Sequence, residues 1–143
     1  MNASARPART VLVVEDNPDH ALLIRMAAER AFEGLDLQIV SSGEDAIRYL
    51  SGEGSFGDRS AFPLPDLVIL DLLLPGLGGF QVMEWTAGQP ELREIPVVVL
   101  TSSVNPGDRG LALSLGARAF HSKPSDVREL DEVVRGILER WLP

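Results

Sequence analysis

A chain of 143 residues has the length of one domain and can bury about 68–70% of its unfolded surface without disulfides or a structural metal. With 45% hydrophobic and 24% charged residues it sorts with globular sequences and not with disordered ones. Its net charge of -8 opposes contact with nucleic acid phosphates or anionic lipid, and the absence of cysteine excludes a disulfide framework and a thiol nucleophile.

Residues 1–9 carry arginine but no apolar stretch and read as a flexible N-terminal segment. Residues 11–14, VLVV, are far too short for a signal peptide or a membrane span, so a soluble cytoplasmic protein is expected. That run reads as a strand and stops at Glu15, Asp16, Asn17 and Pro18, where Asn17 as N-cap and Pro18 at the first helical position start a helix. Leu23, Ile24, Ala27, Ala28 and Ala31 keep an apolar stripe at helical spacing to about Phe32, with Gly34 at the exit. Residues 37–40 form a short strand, and Ser42 caps a short helix through Ala46, Ile47 and Leu50 that Gly52 ends.

Residues 51–65, SGEGSFGDRSAFPLP, have no usable period and read as an unusually long loop, with Phe56 and Phe62 packing it down. Next comes LVIL at 67–70, a strand buried on both faces, and Asp71 stands where it must end, because Pro75, Gly76, Gly78 and Gly79 break any continuing ladder. Residues 81–87 are helical. Residues 97–100, VVVL, form a fourth strand ending in Thr101, Ser102 and Ser103. Residues 105–115 read as a helix weakened by Gly107 and Gly110. Residues 117–122 form a fifth strand that delivers Lys123 and Pro124, and residues 126–142 form a last helix with Val127, Leu130, Val133, Val134, Ile137, Leu138 and Trp141 as its apolar face.

Five strands alternating with five helices imply an α/β fold, a doubly wound parallel sheet covered on both faces. A parallel sheet brings all its strand ends to one side, so Glu15, Asp16, Asp71, Thr101, Ser102 and Lys123 converge. Three carboxylates there would repel one another, and a hard divalent cation such as Mg²⁺ relieves the repulsion. Lys123 as a point charge and Thr101 as a hydroxyl suit a transferred phosphoryl group better than a bare metal cage.

The turn VVEDN with Glu15 and Asp16, LDLLLPGLGG with Asp71, Pro75 and Gly79, LTSS with Thr101, and SKP with Lys123 and Pro124 together resemble the response regulator receiver domains of two-component signalling, over about residues 10–142. The resemblance implies a receiver domain over 10–143, flavodoxin-like, with strand order 2-1-3-4-5. It implies that Asp71 is the phosphoacceptor for a sensor histidine kinase, and that Mg²⁺ is held by Asp16, Asp71 and the main-chain carbonyl of Leu73, with Glu15 acting directly or through water. Lys123 would pair with the phosphate, Thr101 would turn its hydroxyl toward it, and the main-chain N–H groups of Leu72 and Ser102 would donate to its oxygens. Phe120 takes the place of the switching aromatic, and the Lys123–Pro124 bond is expected to be cis. The long loop, the LTSS ending and the terminal Arg140, Trp141 and Leu142 are similar to single-domain regulators paired with bacterial phytochromes. No attached output domain is expected, and the signal is expected to leave through the family's usual face of the fourth helix, fifth strand and fifth helix, extended by Trp141 and Leu142, in a homodimer.

Two enzyme-like or carrier readings fit less well. Aspartate-nucleophile phosphatases of the haloacid dehalogenase type need a second Asp two residues after the nucleophile, where this chain has Leu73, and a flavodoxin-like cofactor carrier would place a phosphate where Glu15 and Asp16 repel one. A receiver-like scaffold that has lost phosphorylation would lack some of the acceptor-site residues, and all are present. Leu73 should also exclude water from the acceptor and slow self-dephosphorylation, with Ser103 able to orient water from the opposite side.

Overall fold

The computed structural model describes residues 8–142; the proposed flexible segment lies outside the described residues as far as residue 7. Strands β1 (Thr10–Val14), β2 (Asp36–Val40), β3 (Leu67–Leu70), β4 (Val97–Thr101) and β5 (Ala119–Ser122) alternate with helices α1 (Pro18–Ala31), α2 (Gly43–Ser51), α3 (Gly79–Ala87), α4 (Asp108–Ser114) and α5 (Val127–Trp141). All pairings are parallel, in the order β2-β1-β3-β4-β5. The expected doubly wound sheet is what forms.

Side chains alternate across a strand, so each continuous apolar run feeds two cores. Val11, Val13, Leu67, Ile69, Val98 and Leu100 face α1 and α5. Leu12, Val14, Val68, Leu70 and Val99 face α2, α3 and α4. Each such side chain, fully buried, contributes about 1.5–3 kcal/mol. Because neither face of β1 or β3 is left to water, polar residues are confined to the strand ends, and that confinement positions the site.

The helix caps follow the sequence. The Asn17 side chain accepts from the N–H groups of Asp19 and His20, and that of Ser42 accepts from Asp45 N–H. Asp126 does the same for Arg128 and Glu129. Three expectations need correction. The helix read from residue 105 starts at Asp108, because the Asn105 side chain accepts from Gly107 N–H and its carbonyl from Asp108 N–H, closing a turn first. Val127 is not part of the apolar face of α5: at the first helical position it is 56% exposed beside a cleft shared with His20, Pro124 and Leu130. The Lys123–Pro124 bond is trans, as no described peptide bond is cis, and trans is the intrinsically preferred X–Pro form by about 0.5–1 kcal/mol.

The long loop is pinned and not loose. It contains a short 3-10 turn at Gly54–Gly57 and packs through an aromatic trio, in which the Tyr49 ring meets Phe56 at 5.2 Å and Phe62 at 6.0 Å, with the two phenylalanines 5.0 Å apart. The Arg59 guanidinium donates to the carbonyls of Tyr49 and Leu50 at the end of α2 and to that of Phe62. The Tyr49 hydroxyl donates to the Pro63 carbonyl at 2.7 Å.

Burial raises the Tyr49 phenol from its ordinary 10.0 to about 12, with Asp36 adding to the rise and Arg59 opposing it. The folded chain thus favours the neutral phenol. The resulting stability, roughly 2–3 kcal/mol at 1.36 kcal/mol per pKa unit, is complete below pH 10.0 and lost as pH climbs through about 12. Tyr49 is the chain's one tyrosine, so its ultraviolet titration is unambiguous. The tyrosinate band of the native protein is expected to rise well above the alkaline midpoint seen in denaturant; coincident midpoints would show the phenol to be solvated.

Candidate functional site

Each polar strand end is brought into the site by a specific backbone tie. Glu15 N–H donates to the Val40 carbonyl and Asp71 N–H to that of Val14, so both acids extend the sheet ladder by one residue. Lys123 N–H donates to the Thr101 carbonyl at 2.8 Å, locking the end of β5 to that of β4. Behind Asp71 the chain doubles back at Gly79, where a Cβ would sit 2.7 Å from the Asp71 carbonyl oxygen and 2.8 Å from Leu72 Cα. Only glycine fits there. From the side, the Glu44 carboxylate accepts from Leu77 N–H at 3.3 Å, and Gly43 lets the start of α2 close on the Leu77 carbonyl, where a Cβ would come to 2.2 Å. The loop after β3 is thus held from two directions.

Glu15 and Asp71 are buried, with 3% and 4% of their surfaces accessible, whereas Asp16 faces solvent. Lys123 Nζ donates to Glu15 Oε1 at 2.6 Å and to Asp71 Oδ2 at 2.8 Å, and its side chain is 5% exposed. Asp71 Oδ1 accepts from Leu73 N–H at 3.0 Å, and Glu15 Oε2 accepts from Asn17 N–H at 3.1 Å. Burial pushes the Glu15 carboxyl above its ordinary value, while the hydrogen bonds from Lys123 and Asn17 pull it back. Carboxylate oxygens of Glu15, Asp16 and Asp71 all lie within 4.8 Å of one another. One ammonium against three carboxylates leaves an uncompensated negative site. An all-oxygen donor set of this kind fits a hard divalent cation.

Thr101 is fully buried, and its Oγ1 accepts from Ser103 N–H at 3.2 Å. The Ser103 hydroxyl donates to the Asp108 carboxylate and accepts from Asn105 N–H, so its proton is engaged with the start of α4. Leu73 lies at the rim, 52% exposed, with its N–H on Asp71. Phe120 is half-buried, its ring 5.9 Å from the Arg109 guanidinium and its carbonyl accepting from the same side chain. Trp141 and Leu142 fold back onto the core between α1 and α5, with Leu142 only 7% exposed and Arg140 stacked 4.5 Å from the Trp141 ring. They do not extend an outward face.

The sequence reading missed His20, whose Nδ1 lies 3.0 Å from Lys123 Nζ. The available signal was its place one helical turn after Asp16, in a helix that starts from the acidic turn itself.

Residues 11–135 match the response regulator receiver domain, and the chain belongs to that family. Among its relatives is the response regulator Rcp1 of Synechocystis sp., 30% identical over 142 residues that make up 99% of this chain and 95% of the relative. The Mn²⁺-bound form of Rcp1 has a TM-score of 0.86 over 94% of each chain. The phosphorylated cyanobacterial phytochrome response regulator RcpA is 32% identical, with a TM-score of 0.89 over 95% of each chain. The bacteriophytochrome response regulator AtBRR is 34% identical, covering 92% of this chain and 95% of its own, with a TM-score of 0.73.

Removing the ammonium from this site leaves buried carboxylates unpaired. Lys123→Met is expected to cost about 3–5 kcal/mol in urea denaturation, and Asp71→Asn on that background should recover part of the loss. Unchanged stability in Lys123→Met would show that Glu15 and Asp71 are balanced by something other than Lys123.

Proposed function

We propose that the chain is a phospho-accepting switch in which Asp71 takes the phosphoryl group from the phosphohistidine of a sensor histidine kinase. The observation that supports this most is the buried Asp71 carboxylate at the end of the central strand, 2.8 Å from the Lys123 ammonium, in a chain of the receiver family. An Asp71 carboxylate oxygen forms the new O–P bond as the P–N bond to the kinase histidine breaks, and the electron pair stays with the imidazole. Lys123 exchanges a carboxylate oxygen for a phosphoryl oxygen, and the N–H groups of Leu72 and Ser102 donate to the others. Thr101 turns its hydroxyl to the phosphoryl group and gives up the hydrogen bond from Ser103 N–H. Phe120 then packs inward as the switch aromatic without needing a phenol. Beyond promoting its own phosphorylation and dephosphorylation, the chain acts on no substrate.

Glu15, Asp16, Asp71 and the Leu73 main-chain carbonyl would hold Mg²⁺, with Glu15 bound directly or through water. The ion's chemistry here is to neutralise the charge gathered on the carboxylates and the phosphoryl oxygens. The Mn²⁺-bound form of Rcp1 favours a divalent ion in such a site. A bacterial phytochrome is the kinase we favour, because RcpA and AtBRR are phytochrome response regulators, and the cytoplasm is where such a kinase would meet this chain. Output by a homodimer would use the face of α4, β5 and α5, on which Leu111 is 45% exposed, and not Trp141 or Leu142.

Phosphorylation by the kinase or by acetyl phosphate, followed by intact mass, is expected to add one phosphoryl group to the wild-type chain. None should be added to Asp71→Asn or after removal of divalent ions. Labelling of Asp71→Asn at the wild-type rate would overturn the assignment. Light scattering should detect a phosphorylation-dependent dimer at tens of micromolar, on the order of a transient interface; a monomer in both states would remove the dimer.

Lifetime follows from Leu73. Its side chain offers no hydrogen bond to a hydrolytic water beside the acceptor. Decay of phosphorylated protein after kinase removal should be slow in wild type and about severalfold faster in Leu73→Asn, while uptake stays nearly constant. Equal decay would place the control of water elsewhere.

A further inference from the structure

Lys123 has three N–H donors and meets three acceptors: Glu15 Oε1 at 2.6 Å, Asp71 Oδ2 at 2.8 Å and His20 Nδ1 at 3.0 Å. An ammonium can only donate, so the ring nitrogen facing it carries the lone pair and the imidazole proton resides on Nε2. His20 Nδ1 lies 4.0 Å from Glu15 Oε2, beyond hydrogen-bonding reach, which leaves Lys123 as its polar partner in the site. From this geometry we infer that His20 is a positioning residue for Lys123, a neutral third acceptor that aims the ammonium at Asp71. The inference rests on the phosphoacceptor reading above.

The placement of His20 is itself over-determined. Glu15 Oε2 accepts from Asn17 N–H, and Asn17 Oδ1 accepts from His20 N–H at 3.2 Å. His20 Nδ1 accepts from Lys123, and Lys123 closes the circuit on Glu15 Oε1. The cap of α1 and the ammonium are therefore parts of one ring of hydrogen bonds. Removing His20 opens it without changing the number of charges around Lys123.

That neutrality matters to the reaction. Of the three acceptors, Asp71 changes its charge when it is phosphorylated, and Glu15 would be shared with a bound cation. His20 is neither the phosphoacceptor nor one of the clustered carboxylates. It gives Lys123 a fixed N–H···N bond about which the flexible lysine stem can turn from carboxylate to phosphoryl oxygen, so the ammonium does not have to be located afresh.

The test compares His20→Leu, His20→Asn and His20→Gln with wild type, using acetyl phosphate and Mg²⁺ with intact mass as the readout. The Asn side-chain oxygen stands the same number of bonds from the backbone as Nδ1, whereas the Gln amide lies one bond further. His20→Leu and His20→Gln should be phosphorylated about tenfold more slowly, the effect of a lost hydrogen bond to a charged group. His20→Asn should stay within about threefold of wild type, and thermal melting should be similar in all. In the wild-type protein labelled with ¹⁵N-histidine, His20 should be the Nε2–H tautomer, with an Nδ1 signal that shifts in Lys123→Met. A wild-type rate in His20→Leu, or an Nδ1–H tautomer, would overturn the inference while leaving Asp71 as acceptor. A wild-type chain that takes no label would instead overturn the phosphoacceptor reading, and the positioning role with it.

Discussion

The structure depends on one buried ammonium held between two buried carboxylates. Lys123 reaches Glu15 and Asp71 at 2.6 and 2.8 Å from a strand that neither acid belongs to, so β1, β3 and β5 are tied at their ends by charge as well as by the intervening ladder. Desolvation of such a trio costs several kcal/mol per ion. It is tolerated because the two carboxylates and the ammonium each have a further partner: Asn17 N–H on Glu15, Leu73 N–H on Asp71, and His20 on the lysine. Charge balance is still incomplete, since Asp16 adds a third carboxylate within reach. A site left negative in this way draws a cation, and it couples any change at Asp71 to the position of Lys123.

Around that centre the backbone is fitted so closely that side-chain volume becomes the constraint. Gly79 lies against the Asp71 carbonyl and Leu72, and Gly43 lies against the Leu77 carbonyl. The loop that carries Leu73 is thus clamped between α2 and the start of α3 at points where only glycine lets the backbones meet. On the other side, Thr101 takes the N–H of Ser103 while Ser103 gives its proton to Asp108 at the start of α4. A rotation of the Thr101 hydroxyl would withdraw one end of this chain of bonds. The acceptor loop is held fixed by packing, and the loop after β4 by polar contacts that can be exchanged.

What the sequence made legible follows from which interactions are local. Three all-apolar runs, at residues 11–14, 67–70 and 97–100, each stopped by polar residues, announce buried parallel strands, and the residues that stop them supply the acids and the threonine of the site. Asn17, Ser42 and Asp126 cap their helices as their chemistry requires. His20 was hidden because its role is a contact across 103 residues of chain, with no periodic signal. The tie of the Ser103 hydroxyl to Asp108 was equally out of sight, because it depends on where α4 begins. The long loop looked shapeless because its order comes from Tyr49 and Arg59 meeting the phenylalanines and the free carbonyls of α2, contacts that no short window contains. The trans Lys123–Pro124 bond and the inward fold of Leu142 departed from what resemblance implied.

The two cores are separated by the sheet, and each holds one of the chain's two tryptophans at its margin: Trp141 on the side of α1 and α5, and Trp85 on the side of α2, α3 and α4. Intrinsic fluorescence of the protein therefore sums two reporters that never share an environment. Trp141 is further marked by the cation stacked on its ring, which Trp85 lacks among the described cation–π pairs. If the layers loosen together, emission follows a single transition. If one gives way first, the identity of the indole whose spectrum moves tells which layer it was.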